Sequence, residues 1–123
     1  MNTEKLQKAR EFEQEQMKKI SSEERPFYHV TGSVGWINDP NGFSYYKDEY
    51  HLFYQYHPYS NQWGPMHWGH LTSKDFISWK RLPVIMAPEE SYDNAGCFSG
   101  SAIVMDNVFG SHKWKFSHHM LLN

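Results

Sequence analysis

Four short β-prone segments follow one another between residues 43 and 82, and turn residues or prolines separate them. They span residues 43–46, 50–57, 66–72 and 76–82, with Pro58 closing the second and Pro83 the fourth. Short strands that are joined by tight turns at this spacing match one blade of a β-propeller. A single blade has two apolar faces, so it requires neighbours that cover them.

The second segment shows the strand period most clearly. Alternating residues of a strand point to opposite faces. One face would carry Tyr50, Leu52, Tyr54 and Tyr56, and the other would carry His51, Phe53, Gln55 and His57. Residues 47–49 between the first two segments predict a hairpin loop, and residues 27–30 predict a further short strand.

A second blade is expected to begin at residues 98–105, after a connecting loop over residues 84–97, with a turn at Asp106 and Asn107. Residues 108–123 contain three histidines, two lysines and no acid, and they predict no partner strand for residues 98–105. We interpret them as an anomalous tail, and a frameshift or a fragmentary gene is one hypothesis for it. The domain division is therefore an N-terminal helical extension (1–25), the N-terminal part of a propeller (26–107) and this tail (108–123).

Residues 1–25 differ in composition from the rest, with six basic residues, six glutamates and no glycine. A stripe of mainly apolar residues at spacings of three and four predicts a helix of about 16 residues that begins at a Thr3 cap. The fold class is therefore all-β with one short N-terminal α-helix.

The segment WINDPNG at residues 36–42 places an acid, Asp39, between large apolar residues and an aromatic run. Asp, Pro, Asn and Gly at residues 39–42 predict a type I β-turn. Any surface hairpin can carry such a turn. A carboxylate beside an aromatic wall also suits sugar chemistry, and both interpretations stay open at this point.

Composition excludes several classes of function. The net charge of −2 argues against a nucleic-acid surface, and no apolar run reaches the roughly 18–20 residues that span a bilayer. The N-terminus lacks the apolar core of a secretory signal. Cys97 is the only cysteine, which excludes an intrachain disulfide and is compatible with the cytoplasm. His67 and His70 are three apart on a predicted strand and point to opposite faces, so no metal site is expected.

Three groups of polar and aromatic residues are expected to converge where the innermost strands of successive blades lie side by side. They are Asn38 with Asp39, Gln55 with Trp63, and Phe98 with Ser99. An acid, amides, a hydroxyl and an indole in one funnel suit a sugar site. Trp68 and Trp79 are expected to be packing residues, whereas Trp63 suits packing and sugar binding equally.

Residues 26–106 resemble the start of glycoside hydrolase family 32, which includes invertases, sucrose-6-phosphate hydrolases, inulinases and levanases. The matching segments are WINDPNG (36–42), YHLFYQYHP (50–58), NQWGPMHWGH (61–70), SKDFISWKRLP (73–83) and GCFSGSA (96–102). Five segments in the right order make the resemblance specific. The start of the chain resembles the intracellular bacterial branch, which implies a cytoplasmic protein.

The resemblance implies the beginning of a five-bladed β-propeller, comprising the first blade and the start of the second. It also implies a retaining fructosidase that acts on sucrose, sucrose 6-phosphate or fructan without a cofactor. Asp39 matches the nucleophile, and Asn38, Gln55, Trp63, Phe98 and Ser99 match positions that line the fructose subsite.

The family's acid/base occurs in a Glu-Cys motif and its transition-state carboxylate in an Arg-Asp-Pro motif, and neither motif occurs in this sequence. We therefore expect this chain to be inactive alone. The alternatives are a non-catalytic sugar-binding fragment and an inert product. The oligomeric state stays open.

Overall fold

A computed structural model describes residues 3–106 and 112–118, and it describes residues 105, 106 and 112–118 by backbone alone. The described part is mostly antiparallel sheet with one α-helix, α1 (Glu4–Met17), and a 3₁₀ turn at Ser22–Glu24. Neither helical segment is long and apolar enough to span a membrane.

A four-stranded sheet in the order β1-β2-β3-β4 forms the body of the fold. Its strands are β1 (Trp36–Tyr46), β2 (Glu49–His57), β3 (His67–Ser73) and β4 (Lys80–Met86). Each strand pairs antiparallel with the next in sequence, as in the blade that the strand pattern predicts. The strand expected at residues 27–30 is absent: these residues are exposed, and residues 27–29 form bends.

The type I turn expected at residues 39–42 is wrong. Strand β1 runs through these residues and pairs with β2 on both sides, with register shifts between Ile37 and Pro40 and between Asn41 and Ser44. Pairing with β2 outweighs the local turn preference of residues 39–42. The register shifts accommodate the residues that do not fit regular pairing. Pro40 lacks a backbone N–H, which an edge strand such as β1 tolerates.

The hairpin predicted between the first two strands is confirmed. Lys47 and Asp48 form its two-residue turn, and both have positive φ angles, of 50° and 60°. This conformation is the type I′ turn, whose twist matches that of the flanking strands.

The alternation predicted along β2 is also confirmed, because its two faces enter different cores. Tyr54 and Tyr56 pack with helix α1, whereas Phe53 packs on the opposite face with the segment that leads into β5 (Gly100–Asp106). The first core contains Leu6, Ala9, Tyr54, Tyr56, Leu71, Val84 and Ala87. The second contains Phe53, Trp68, Cys97 and Ala102. Both apolar faces of the sheet are therefore at least partly covered.

The fourth strand begins later than predicted and continues past Pro83 to Met86. The reason is the loop that precedes it. Asp75 Oδ1 accepts hydrogen bonds from the amides of Ile77 and Ser78 at 2.9 and 2.7 Å. These local bonds satisfy the backbone amides of the loop without a strand, so β4 starts after them. The strand continues through Pro83 because β4 is an edge strand, where proline is tolerated.

Strand β5 has a partner, so the expectation that residues 108–123 provide none is wrong. Strand β6 (His112–His118) pairs with β5 along its full length, from Gly100 opposite His118 to Asp106 opposite His112. In the sequence HKWKFSH, Trp114 and Phe116 alternate with lysines, which is the strand signal that the histidine-rich composition obscured. Asn107, in the predicted turn, lies outside the described residues.

Helix α1 covers the outer strand of the sheet through polar as well as apolar contacts. Thr3 occupies the N-cap position, but its side chain makes no capping bond, and Glu89 accepts the amide of Leu6 instead, at 3.1 Å. Arg10 Nε donates to the carbonyl of Val84 at 2.9 Å, and Glu13 Oε2 accepts the amide of Val84 at 3.1 Å. The helix therefore satisfies both backbone groups of one residue on β4.

Glu13 is a buried carboxyl, only 2 % exposed, at this interface. Burial raises its pKa, and the hydrogen bond from the Val84 amide opposes that shift only in part. In the unfolded chain the carboxyl ionises near its ordinary pKa of 4.5. Because the folded state holds the proton more tightly, this residue's contribution to the free energy of unfolding falls as pH rises above 4.5, and it levels off above the folded pKa.

We therefore expect Glu13→Gln to be more stable than the parent chain at neutral pH, with the difference vanishing below the ordinary carboxyl pKa. Glutamine keeps an oxygen for the Val84 amide and cannot ionise. Urea unfolding at a series of pH values measures the difference. Glu15→Gln, at an exposed position of the same helix, is the control. Parallel pH profiles for Glu13→Gln and the parent chain would contradict this prediction.

Candidate active site

Asp39 lies on β1 with its side chain exposed to solvent, and it meets Ser99, which directly precedes β5. The Ser99 hydroxyl donates a hydrogen bond to Asp39 Oδ2 at 3.0 Å. The two residues are sixty positions apart, with Asp39 in the four-stranded sheet and Ser99 immediately before the two-stranded sheet. The convergence of the first and third residue groups expected from the sequence is therefore present in the fold.

The segment before Ser99 is anchored by side chains of the four-stranded sheet. Gln55 Nε2 donates to the carbonyl of Cys97 at 2.8 Å. Trp68 Nε1 lies 3.3 Å from the same carbonyl and 3.2 Å from that of Phe98. Because Gln55 is 4 % exposed and Trp68 is fully buried, these bonds hold the backbone of residues 97 and 98 against the sheet.

The segment after Ser99 is anchored as well. The Gly100 amide donates to Asn41 Oδ1 at 3.3 Å. Asn41 is 4 % exposed, although the residues before it on β1 are exposed. Ser99 is thus bracketed by hydrogen bonds on both sides, which places its hydroxyl at a defined position beside Asp39.

Asn38 directly precedes Asp39 on β1 and is exposed to solvent. The indole of Trp36 donates a hydrogen bond to Asn38 Oδ1, so the amide beside Asp39 is oriented by the start of its own strand. Trp63 lies in the loop between β2 and β3 and is 61 % exposed. In the part of the chain that the structure describes, none of its hydrogen bonds or ring contacts joins it to Asp39 or Ser99.

The six residues predicted for the site therefore divide into three kinds. Asp39 and Ser99 are in direct contact, and Asn38 is adjacent to them. Gln55 and Phe98 take part through the buried bonds of the 97–98 backbone, while Trp63 stands apart in its loop. Whether they bind a sugar stays a prediction.

Sequence reasoning missed the contribution of Asn41. Asparagine is uncommon inside strands, so a buried asparagine there signals a specific hydrogen bond. The interpretation of residues 39–42 as a turn concealed this signal, because asparagine is ordinary in a turn. Trp68 was expected to be a packing residue; it is one, and its indole nitrogen also anchors the site.

The histidines of β2 and β3 have structural partners. His67 and His70 lie on opposite faces of β3, as predicted, because His67 pairs with Tyr56 and His70 with Phe53. His70 Nε2 is 2.9 Å from Nδ1 of His51, and burial lowers the pKa of His70 to about 4. Within residues 3–104, whose side chains the structure describes, no three histidine, cysteine or acidic side chains are grouped to hold a metal ion.

Comparison with known proteins places these motifs in a wider context. Residues 29–118 match the family model of the glycosyl hydrolases family 32 N-terminal domain. That match includes β6, so the resemblance does not end near residue 107 as the sequence suggested.

Among curated proteins, the chain is 55 % identical over 89 residues to a sucrose-6-phosphate hydrolase of Zymomonas mobilis, covering 72 % of the chain and 17 % of that protein. It is 59 % identical over 83 residues to a levanase of Bacillus subtilis, covering 68 % of the chain and 12 % of that protein. The chain thus spans less than a fifth of the length of either relative.

Among solved structures, a Bombyx mori β-fructofuranosidase variant in complex with sucrose superposes with a TM-score of 0.72 at 36 % identity. The superposition covers 95 % of the chain and 28 % of that protein. The fructofuranosidase of Schwanniomyces occidentalis complexed with fructose gives a TM-score of 0.60 at 45 % identity, over 68 % of the chain and 17 % of that protein.

Proposed function

Because the chain belongs to glycosyl hydrolase family 32, we propose that it forms the N-terminal part of a retaining β-fructofuranosidase with Asp39 as the nucleophile. One observation carries this assignment: an exposed carboxylate on the first strand accepts a hydrogen bond from Ser99, which lies sixty positions away, immediately before β5. In this proposal the four-stranded sheet is the first blade of a five-bladed propeller, and β5 with β6 begins the second.

The substrate class is a β-fructofuranoside: sucrose, sucrose 6-phosphate or a fructan. Relatives described as a sucrose-6-phosphate hydrolase and a levanase support this class. Asn38, Gln55, Trp63, Phe98 and Ser99 are the proposed binding residues of the fructosyl unit. Asn38 and Ser99 are the polar neighbours of Asp39, and the exposed indole of Trp63 offers a face for a sugar ring.

The chemistry requires two carboxyl groups. Asp39 attacks the anomeric carbon of the fructosyl unit, and the bond from that carbon to the leaving oxygen breaks as a second carboxyl, about 5–5.5 Å away, protonates that oxygen. Water then releases fructose from the fructosyl ester of Asp39. The Glu-Cys and Arg-Asp-Pro motifs that supply the family's other carboxylates do not occur in the 123 residues.

We therefore expect the isolated chain to leave sucrose intact, because general acid catalysis contributes roughly 10²–10⁴-fold to the rate. The measurement is glucose release from sucrose by the purified chain. Robust turnover that Asp39→Asn blocks would show that the chain supplies an acid/base of its own and would contradict the expectation.

An activated substrate tests the nucleophile without the acid. Nitrophenolate leaves without protonation, so 4-nitrophenyl β-fructofuranoside requires only the attack of Asp39. We expect a burst of nitrophenolate of about one equivalent, because the missing base also slows hydrolysis of the ester. Intact-mass spectrometry should show one added fructosyl group, and peptide mapping should place it on Asp39. A folded chain that releases no nitrophenolate would refute the proposed nucleophile.

A second candidate function, sugar binding without catalysis, is supported by the exposure of Trp63 and Trp36, at 61 % and 37 %. Titration with fructose while tryptophan fluorescence is recorded distinguishes it. Saturable quenching that Trp63→Phe removes and Trp79→Phe retains, without a nitrophenolate burst, would favour binding alone. Trp79 suits the control because its indole bonds to the carbonyl of Phe76 at the other end of the sheet.

A further inference from the structure

Asp39 lies in one sheet and Ser99 directly precedes the other, so their contact depends on how the two sheets dock. Asp39 is on β1 of the four-stranded sheet, and Ser99 leads into β5 of the two-stranded sheet. A hydrogen bond of 3.0 Å tolerates little displacement. The contacts between β1 and the start of β5 therefore decide whether the hydroxyl reaches the carboxylate.

The bond nearest to this pair joins Asn41 to Gly100. Asn41 Oδ1 accepts the Gly100 amide at 3.3 Å, one residue beyond Ser99 and two residues beyond Asp39 on the respective strands. Next to it, the two backbones approach so closely that a Cβ on Gly42 would lie 2.6 Å from Cβ of Ala102. The docking is thus tight, and Asn41 supplies its polar contact.

The side-chain nitrogen of Asn41, Nδ2, lies in an unusual environment for a hydrogen-bond donor. Asn41 Nδ2 is buried and has no hydrogen-bond partner within the described residues. A buried donor without a partner is destabilising, and such groups are rare in native proteins. An apolar side chain would pack at this buried position without leaving a donor unpaired. The acceptor oxygen is therefore the property that favours asparagine here.

We propose that Asn41 is a positioning residue that holds Ser99 against Asp39 through the amide of Gly100. Gln55 and Trp68 fix the backbone on the N-terminal side of Ser99, and Asn41 fixes it on the C-terminal side. The inference rests on the proposed function only in that it takes Asp39 as the nucleophile.

A double-mutant cycle read by NMR tests the inference. The readout is the change in the ¹³Cγ chemical shift of Asp39 that Ser99→Ala causes, which we call the Ser99 effect. It is measured in the parent chain and in each variant of Asn41, so that the direct influence of the Asn41 substitution on Asp39 cancels. We expect this Ser99 effect in the parent chain, its loss in Asn41→Ala, and its return in Asn41→Asp, which keeps an oxygen acceptor. Amide hydrogen exchange at Gly100 should also be roughly tenfold faster in Asn41→Ala.

Asn94→Ala, an exposed asparagine outside the sheets, is the matched control and should retain the Ser99 effect. An undiminished effect in a folded Asn41→Ala chain overturns the inference, as does the absence of the effect in the parent chain. If Asn41→Ala fails to fold, Asn41→Asp decides: a retained effect supports the role of the acceptor, and a lost effect refutes it.

These readouts involve no sugar, so they separate the two proposals. A chain that shows the expected Ser99 effects but no nitrophenolate burst would retain Asn41 as the positioning residue and lose Asp39 as the nucleophile. A burst, together with a Ser99 effect that persists in Asn41→Ala, would retain Asp39 as the nucleophile and lose Asn41 as the positioning residue.

Discussion

In the Asp39→Asn variant, the nitrophenolate burst and the fructosyl adduct are expected to disappear, with labelling slowed by roughly 10⁴-fold or more, as for the loss of a catalytic nucleophile. Asparagine has nearly the same shape and still offers an oxygen to the Ser99 hydroxyl, so the fold and the contact between sheets are retained. It lacks the negative charge that attack on the anomeric carbon requires.

Asp48→Asn is the matched control. Asp48 is an exposed aspartate in the hairpin turn at the other end of β1, and its replacement should leave the burst unchanged. Circular dichroism of both variants establishes that they fold. Labelling that survives in Asp39→Asn would show that another group attacks the sugar, and the assignment of Asp39 would then fail.

A second large effect is expected on stability from Gly42→Ala. Gly42 has a φ of +49°, and a Cβ there would meet the backbone nitrogen of Ala102 at 2.9 Å as well as its Cβ at 2.6 Å. The left-handed conformation costs a non-glycine residue about 1–2 kcal/mol, and overpacking costs about 1–3 kcal/mol. The free energy of unfolding should therefore fall by roughly 2–5 kcal/mol, measured by urea denaturation.

Ala102→Gly provides the internal test of this cause. Introduced together with Gly42→Ala, it removes the contact between the two Cβ atoms and should restore part of the lost stability, although Ala102→Gly alone is destabilising. The backbone contact and the φ strain would remain. Additive losses in the double variant would show that crowding between the sheets is not the cause.

Local sequence patterns predicted the features that depend on neighbours in the chain. The alternation of Tyr54 and Tyr56 with Phe53 and Gln55 identified two buried faces of β2, and both cores are present. The hairpin at Lys47 and Asp48 followed from the break between two strands. The helix was predicted from its apolar spacing, to within about two or three residues at its end.

Three of the expectations that failed have a physical reason in the structure. Residues 39–42 resemble a turn, yet pairing with β2 extends the strand through Pro40. Strand β4 starts later because Asp75 makes local hydrogen bonds in the preceding loop, and it continues past Pro83 because it is an edge strand of the sheet. Strand β6 was overlooked because the histidine-rich composition obscured the alternation of Trp114 and Phe116 with lysines, whereas the structure pairs β6 with β5 along its full length.

The sequence by itself determined the order of the strands in the four-stranded sheet, the two-faced character of β2 and the identity of the acid at residue 39, because these follow from periodicity and from motifs that are contiguous in the chain. Only the tertiary structure decided that Ser99 reaches Asp39 and that Asn41 and Gln55 secure it. Those contacts join residues forty to sixty positions apart. Their geometry depends on how two sheets pack, and no local pattern encodes that distance.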